Sequence, residues 1–458
     1  MMQKLLNFSE KTGLTLLIPI IKIIMKDEPE KQAKELLKLI LLPTLALSIF
    51  FGLWSLASTR IKTSVGALPS PSYVWFQAKA MAADARAERV NKAEFAFYEK
   101  SRAILSGLLT ERQEQEAAGK PTEASDAQRT AFVGDLQGRV DELTSDIKIL
   151  TADVDAAHIA ATAAGITDRR IEPYKTNILK FYQDAQYSLT SLISKNTRID
   201  TAIINLTSGD EKKRKLAARK RTAYERQLSK PRAYSGNGSI LDYVKRSVVT
   251  VLFGFFLAAV VAVPLGILCG LSKNFMTAVN PLIQTLRPVS PLAWVLITIQ
   301  IVDGVFVGEK ALNGELINNP FLHSAITVAL CSLWATLSNT ALGVSSVNPD
   351  YMNVAKVLKL NWFDRIIKIV IPSAIPFIFT GLRITLGVGW MVLIVSEMMA
   401  TSRGLGWYID QQYQNNKVES LANIIVCIFI IGIIGALLDR IMFILHKTVS
   451  FNDDEVSA

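Results

Sequence analysis

The chain has few of the residues that build metal centres and disulfide frameworks. It contains three cysteines and three histidines among 458 residues. Cys269, Cys331 and Cys427 all stand in apolar segments and show no paired spacing, so we predict that they are small apolar core residues. The histidines lie far apart in the sequence. These counts argue against a disulfide-rich fold, and we predict neither a metal site nor a catalytic triad.

The phosphate-binding loop GxxxxGK[ST] is also missing from the sequence. We therefore predict that the chain binds no ATP, has no cofactor of its own and is not an enzyme. Its formal net charge is +10, and the densest basic run extends from Lys212 to Arg221. That run lacks the interleaved aromatic residues of a nucleic-acid surface, so we predict no nucleic-acid partner. A solvated helix face and a docking surface for an acidic partner or lipid head groups both stay open.

Long apolar segments are abundant by contrast. Apolar residues make up 50% of the chain, and they concentrate in runs near 39–58, 247–271, 321–345, 374–400 and 421–445. Each run is close to the roughly 20 residues with which a helix crosses the hydrocarbon core of a bilayer. A sixth run, near 284–304, is weaker because Arg287, Pro288 and Pro291 interrupt its start. We predict an all-α polytopic membrane protein with six transmembrane helices.

Basic residues at the ends of the runs predict its orientation. Lysines between residues 26 and 38 precede the first run and place the N-terminus in the cytoplasm by the positive-inside rule. Six crossings return the C-terminus to the cytoplasm, in agreement with Arg440 and Lys447 at the end of the last run. Residues 14–25 are apolar but contain Pro19 and Lys22 and no small-residue cleavage site. We predict an interfacial helix there in place of a cleaved signal peptide.

Residues 76–239 differ in composition from the rest of the chain and are highly charged. Apolar residues alternate at three and four positions, as in a coiled-coil seam, at Val133, Leu136, Val140, Leu143, Ile147, Leu150 and Val154. A broken form of this spacing follows at Ile178, Phe181, Ala185, Leu192, Ile199, Ile203 and Leu206. Helix breaks near 119–121, 165–173, 208–210 and 235–239 predict three or four helices in an antiparallel hairpin or bundle. Because one crossing precedes the segment, we predict that it lies outside the membrane, in the periplasm.

The loop between the fourth and fifth runs has an amphipathic pattern. Val354, Val357 and Leu358 form an apolar stripe at positions i, i+3 and i+4. This predicts a short helix over about 350–358, then a turn and a second helix that leads into the fifth crossing. Such a helix fits a groove on a soluble partner, and an ordinary interfacial connector is the alternative.

This loop resembles the Glu-Ala-Ala loop of ABC importer permeases, which carries the coupling helices that dock on the ATPase subunits. Asn353-Val354-Ala355 stands where the family has Glu-Ala-Ala or Glu-Val-Ala, Lys359 stands where it usually has Gly, and Ile369 to Pro372 matches its Ile-x-Leu-Pro ending. The resemblance implies an ATPase-coupling surface formed by Asn353, Val354, Ala355, Val357, Leu358, Lys359 and Pro372. We expect an Asp at position 355 to place a charge against the ATPase groove and to uncouple transport.

Further segments resemble particular groups within the family of ABC importer permeases. Leu68-Pro69-Ser70-Pro71 with Val74-Trp75 is similar to the segment after the first helix in the nitrate, sulfonate and taurine group. Similarity to the nitrate branch is found in 280–284, 286–294, 341–347 and 380–384, and in Glu397-Met398 and Gly404-Leu405-Gly406. The resemblance covers about 41–75 and 240–447. Residues 76–239 therefore look like an insertion in the family pattern.

The resemblance implies the six-helix fold of type I ABC importer permeases, to which the insertion adds an extracytoplasmic coiled-coil bundle. We expect a cytoplasmic segment at 1–38, the first transmembrane helix and its following segment at 39–75, and the insertion at 76–239. The permease core would occupy 240–447, with the coupling loop at 348–373, before a cytoplasmic tail at 448–458.

The function that the resemblance implies is that of the transmembrane permease subunit of an ATP-driven importer in a bacterial inner membrane. Its partners would be cytoplasmic ATPase subunits that bind ATP and Mg²⁺, a periplasmic solute-binding protein, and a second permease that is identical or related. Nitrate or nitrite is the leading substrate, and taurine and other sulfonates, bicarbonate and cyanate are alternatives. Two other classes stay open, a non-transporting scaffold that organises partners through 76–239 and a stand-alone secondary transporter or channel.

Charged residues in or near the runs are candidates for the substrate pathway, because charges within a bilayer usually face a cavity or a partner. Arg287 adjoins prolines that free backbone donors, which suits a monovalent anion, whereas snorkelling to the head groups is the alternative. Arg383 lies inside the fifth run and is either a pathway residue or the partner of an acid or of a helix C-terminus. Glu397, near the outer end of that run, would repel an anion. We predict that it serves at a gate or a subunit interface.

Hydroxyl residues complete the set of pathway candidates. They are Ser290, Ser345, Ser346 and Thr385. Hydroxyls in membrane helices often bond their own backbone, and that role is the alternative for each of them.

Overall fold

The computed structural model describes residues 17–24, 29–63, 66–163, 168–206, 209–231, 238–306 and 317–450. These residues fall into two compact units, one within 1–75 and 242–458 and the other within 76–241. We name them the membrane unit and the inserted unit. Strands β1 (Lys62–Thr63) and β2 (Gly66–Ala67) pair antiparallel in the membrane unit, and Lys62 lies opposite Ala67. Elsewhere the described elements are helices.

The structure describes fifteen α-helices, which follow one another along the chain. In order they are α1 (Leu17–Ile24), α2 (Pro29–Arg60), α3 (Pro71–Ala117), α4 (Glu123–Ala163), α5 (Asp168–Leu206), α6 (Glu211–Ser229), α7 (Ile240–Leu271), α8 (Lys273–Leu286), α9 (Pro291–Val305), α10 (Asn319–Ser345), α11 (Pro349–Val357), α12 (Trp362–Arg365), α13 (Ile371–Met399), α14 (Leu405–Asn415) and α15 (Val418–Ser450).

The membrane unit contains five segments that are long and apolar enough to span a bilayer. They lie at Leu37–Arg60 in α2, in α7, in α10, at Trp362–Met399 and at Val418–Thr448 in α15. A sixth candidate consists of α8 and α9, which meet at an angle of 102°. The predicted helical polytopic membrane protein is therefore confirmed, and the weak sixth run is the one that the structure breaks. The break has a local cause, because Ser290 caps α9 and Pro291 occupies its first turn.

Helices α7 and α10 approach each other closely, and small residues permit this. A Cβ atom on Gly254 would lie 2.6 Å from the carbonyl oxygen of Ala325, and one on Gly266 would lie 2.6 Å from the Cβ of Thr340. Such small-residue contacts are how transmembrane helices pack without a hydrophobic driving force between them.

A π-helical turn, Ile366–Val370, joins α12 to α13, so the chain is helical without interruption from Trp362 to Met399. Pro372 stands in the first turn of α13 and has no N–H to donate to the preceding turn. A missing donor of this kind is a usual companion of a π-turn or a kink.

The inserted unit contains α4, α5, α6 and all of α3 beyond Trp75. Its core joins residues of all four helices: Tyr98, Leu105, Leu109, Leu136, Val140, Leu143, Leu189, Leu192, Ile199 and Leu228. Of the predicted seam, Leu136, Val140, Leu143 and Val154 are buried, while Val133, Ile147 and Leu150 are half-buried. The side chains of Ile178 and Phe181 lie outside the described residues. Coiled-coil geometry and an external location stay predictions.

Ion pairs between helices support this core. Arg139 of α4 pairs with the buried Glu94 of α3, and Arg129 of α4 pairs with Asp200 of α5. The start of α5 corrects one predicted break: the helix begins at Asp168, inside the expected break at 165–173. At the N-terminus, α1 lies within the predicted helix at 14–25, and residues 1–16 and 25–28 are outside the described part.

Candidate functional site

The predicted coupling loop contains the expected short helix, α11. The residues that this helix exposes and buries differ from the prediction. Val357 and Leu358 are 81% and 63% exposed. Ala355 is 1% exposed, and α11 packs against the π-helical turn. The expectation that an Asp at 355 would face a partner is therefore wrong, because this side chain is buried within its own chain. The side chain of Val354 lies outside the described residues, and Asn353 is exposed.

Lys359 adopts a left-handed backbone conformation with φ of 52°. It stands at the position where the permeases that this loop resembles usually have Gly. The N–H of Leu360 donates to the carbonyl oxygen of Ala355 at 3.0 Å, which closes the C-terminal turn of α11. Glycine adopts this conformation at no steric cost, whereas other residues lose roughly 1–2 kcal/mol there. The sequence departure at Lys359 thus leaves the turn in place at some cost in stability.

Glu397 of α13 lies in a closed polar network at one end of the membrane unit. Its side chain is 0% exposed. The hydroxyl of Ser247 in α7 lies 2.8 and 2.9 Å from its two carboxylate oxygens, and the N–H of Gly406 donates to Oε2 at 2.9 Å. The Ser247 hydroxyl in turn accepts from the N–H of Leu405 at 2.8 Å. The network satisfies the buried carboxylate and joins α7, α13 and the first turn of α14.

Close contacts with α13 explain the two glycines of the Gly404-Leu405-Gly406 segment. A Cβ on Gly404 would lie 2.1 Å from Oε1 of Glu397, and one on Gly406 would lie 2.2 Å from the carbonyl oxygen of Ile394. Since Glu397 is enclosed by its own chain, the prediction that it lies at a subunit interface is wrong. Its role at a gate stays a prediction.

Arg383 and Asp439 form a bidentate ion pair between α13 and α15. The Nε–Oδ1 distance is 2.7 Å and the Nη2–Oδ2 distance is 2.8 Å. Their side chains are 39% and 52% exposed. Arg383 lies about 18 Å along the helix from Ile371, well inside a spanning segment. A charged pair at that depth, exposed in a single chain, is expected to face a water-filled cavity or another protein surface.

The other predicted pathway residues do not gather around this pair. Arg287 is exposed at the C-terminus of α8, and the Ser290 hydroxyl accepts from the N–H of Leu292 as the cap of α9. Ser345 and Ser346 are exposed at the end of α10, where their hydroxyls donate to the carbonyl oxygens of Leu342 and Gly343.

Thr385 is fully buried between α10 and α13. Its hydroxyl donates to the carbonyl oxygen of Ser332 at 2.9 Å and lies 2.7 Å from the hydroxyl of Thr336. These contacts give Thr385 a packing role within one chain, and its place on the substrate pathway stays a prediction.

A second polar cluster joins α9 and α10, in which His323 is buried and Asp303 is exposed. Nε2 of His323 lies 3.0 Å from Oδ1 of Asp303, and the amide of Asn319 donates to the same oxygen at 3.1 Å. The hydroxyls of Thr298 and Thr327 lie 2.8 Å apart nearby in the same pair of helices. No local sequence pattern indicates that His323 has an acidic partner, because 20 residues separate His323 from Asp303.

Comparison with known proteins identifies the membrane unit. The family described as the binding-protein-dependent transport system inner membrane component matches residues 262–451. The nitrate import permease protein NrtB of Synechococcus elongatus is 33% identical over 204 residues, which cover 44% of this chain and 68% of that protein. This chain belongs to that family of ABC importer permease subunits.

Two further relatives show the range of the family around this permease. The bicarbonate transport system permease protein CmpB of Synechococcus elongatus is 36% identical over 207 residues, which cover 45% of this chain and 68% of CmpB. The putative aliphatic sulfonates transport permease protein SsuC of Bacillus subtilis is 30% identical over 214 residues, 46% of this chain and 70% of SsuC. A solved inward-facing MetNI methionine ABC transporter covers 46% of the permease at 14% identity and a TM-score of 0.39.

The residues matched by the family include the coupling loop, Arg383, Glu397 and Asp439, and they exclude the inserted unit. Sequence reasoning missed Ser247 and Asp439. A signal existed for Asp439, because it is an acid inside the last apolar run and such an acid calls for a partner. Ser247 carried no such signal, since a serine at the start of an apolar run is ordinary.

Proposed function

We propose that this permease forms the translocation pathway of an ATP-driven importer for a small oxyanion, with nitrate or nitrite as the leading substrate. The relatives named for nitrate and bicarbonate import support the anion class. The observation that carries the proposal within the structure is the exposed Arg383–Asp439 pair deep in a spanning helix. An arginine held there by a carboxylate provides donors to a passing anion while its charge is offset in the anion's absence.

Energy coupling proceeds through α11 in this proposal. The exposed Val357 and Leu358 dock on a groove of a cytoplasmic ATPase subunit, while the buried face of α11 transmits movement to α13 through the π-helical turn. Two permease subunits, identical or related, surround the pathway, and a solute-binding protein delivers the anion from outside. ATP binding favours one of two permease states because the closed ATPase pair holds the two loops together.

Uptake of labelled nitrate tests the proposal. A deletion strain is complemented with the permease or with an empty plasmid, and uptake is measured with nitrite, bicarbonate, cyanate and taurine as competitors. We expect complementation to restore nitrate uptake and nitrite to compete most strongly. Restored uptake of a different anion would change the substrate that we propose and would leave the proposed importer function in place. No restored uptake of any of these anions would contradict the proposal.

A second candidate function is a non-transporting scaffold, and it is favoured by the inserted unit, which lies outside the residues matched by the family. Replacing residues 78–238 by a short Gly/Ser linker separates the two functions. If the protein is an importer whose insertion only helps to capture the binding protein, the deletion variant still assembles in the membrane but no longer captures the binding protein. A scaffold shows no uptake with the insertion present, and its bound partners disappear with the deletion.

A further inference from the structure

The inserted unit contains a cavity of about 310 Å³ between α5 and α6. Facing residues of the two helices form it at helical spacing, with Ala202 on one side and Ala217 on the other. Both alanines are buried, at 4% exposure. Nearer its N-terminus, the same face of α5 packs the larger buried side chains of Leu189, Leu192 and Ile199 into the core. The small side chains of the two alanines leave a trough between the helices.

Three basic residues line this cavity, and no acidic residue is among the described residues that line it. They are Arg198 of α5 and Lys213 and Lys220 of α6. Tyr224 and Asn205 are neutral polar residues of the lining. The Arg198 guanidinium lies 5.9 Å from the centre of the Tyr224 ring, and the Asn205 amide donates to the carbonyl oxygen of Thr201. The cavity therefore concentrates positive charge around a concave surface, which is the arrangement that attracts and holds anions.

Two other cations of α6 are paired with carboxylates within the inserted unit. Arg221 pairs with Glu116 of α3 and with Glu225, and Lys215 pairs with Glu211. Among the described residues, Arg198, Lys213 and Lys220 have no acidic partner within ion-pair distance. An anion entering the cavity therefore displaces no carboxylate from these three cations.

We propose that this cavity is a binding site for a phosphate group, independent of the transport pathway. Three cations without a carboxylate partner match a dianionic or trianionic oxyanion better than a monovalent one, and charged donors bind phosphate oxygens strongly. The volume admits a phosphate together with part of the molecule that carries it. The source is either a soluble phosphate compound or the head group of an anionic lipid.

The test uses the full-length permease in nanodiscs of zwitterionic lipid. Inorganic pyrophosphate is titrated at low salt by calorimetry, and hydrogen–deuterium exchange of α6 is followed with and without it. We expect saturable binding and slower exchange in α6. A second arm replaces part of the zwitterionic lipid with phosphatidic acid and omits pyrophosphate. Slower exchange only in that arm identifies a lipid head group as the source of the phosphate.

Variants separate a site from general attraction to a basic surface. Replacing Lys213 and Lys220 by Gln should weaken binding by about tenfold for each charge removed. The matched control removes two positive charges outside the cavity, through Lys212→Gln and Lys120→Gln, and this variant should bind normally. Ala217→Leu keeps all charges, fills the trough and should abolish binding. Equal loss in the matched control, or no response of α6 to either phosphate source, would overturn the proposal.

Discussion

The hydroxyl of Ser247 lies within hydrogen-bonding distance of both carboxylate oxygens of Glu397, at 2.8 and 2.9 Å, although the two residues are 150 positions apart. Because the same hydroxyl accepts the N–H of Leu405, one serine fixes a spanning helix, a buried carboxylate and the start of α14. A buried carboxylate requires such partners, since an unsatisfied one costs several kcal/mol.

Gly404→Ala should disturb this network directly. The added methyl group would lie 2.1 Å from Oε1 of Glu397, so either the carboxylate or the start of α14 must move. We expect a loss of about 1–3 kcal/mol, seen as a lower melting temperature of the purified permease. The matched control is Gly432→Ala in α15, where no atom lies within 4 Å of the added Cβ. Equal melting temperatures for the two variants would show that the contact yields at no cost.

The coupling helix offers a comparison between its two faces. Leu358→Asp places a carboxylate on an exposed position, so the permease should melt normally but no longer retain its ATPase subunits on purification. Ala355→Asp buries an unpaired charge inside the loop and should lower the melting temperature by itself. If Leu358→Asp retains the ATPase and normal uptake, this surface is not the docking site.

These two features show where sequence reasoning succeeds and fails. The spanning helices follow from length and hydropathy, because a bilayer demands about 20 apolar residues per crossing. The helix at 349–357 follows from its periodicity, but periodicity does not say which residues pack on the same chain, and Ala355 was assigned to the wrong surface. The partner of Glu397 depends on contacts across 150 residues, which no local pattern encodes.

Exchanging the charges of Arg383 and Asp439 distinguishes an anion contact from a structural ion pair. Either Arg383→Gln or Asp439→Asn alone should reduce uptake, because each leaves a charge without its partner in a spanning segment. The exchange Arg383→Asp with Asp439→Arg restores the pair and should recover stability. If Arg383 contacts the anion, uptake stays low in the exchanged protein. Recovery of both stability and uptake would make the pair purely structural.

Asp84 in the inserted unit should make stability depend on pH. Burial raises the pKa of Asp84 from 3.8 to about 6, and its Oδ1 has no hydrogen-bond partner. Since the folded protein holds this proton more tightly than the unfolded chain, stability should fall as pH rises from about 4 to about 6 and stay low above that.

Asp84→Asn should therefore stabilise the permease above pH 6, by no more than about 3 kcal/mol, and have little effect near pH 4. The measurement is the melting temperature of both proteins across this pH range. Asp200→Asn serves as the control, because Asp200 pairs with Arg129 and its loss should destabilise at neutral pH. A constant difference between Asp84→Asn and the parent at all pH values would contradict the assignment.

The location of the inserted unit is tested by labelling a single loop. Lys120 is exposed next to Gly119, whose φ of 65° forms the turn between α3 and α4. If one crossing precedes this unit and the N-terminus is cytoplasmic, Lys120→Cys should react with a membrane-impermeant thiol reagent added to cells whose outer membrane is permeable. Tyr351→Cys, exposed in α11, should react only after the inner membrane is broken.

The parent protein gives the background, since its cysteines at 269 and 427 are buried and the one at 331 is half-buried. The reverse labelling pattern would place the inserted unit in the cytoplasm and the coupling helix outside, and would exclude docking of α11 on a cytoplasmic ATPase.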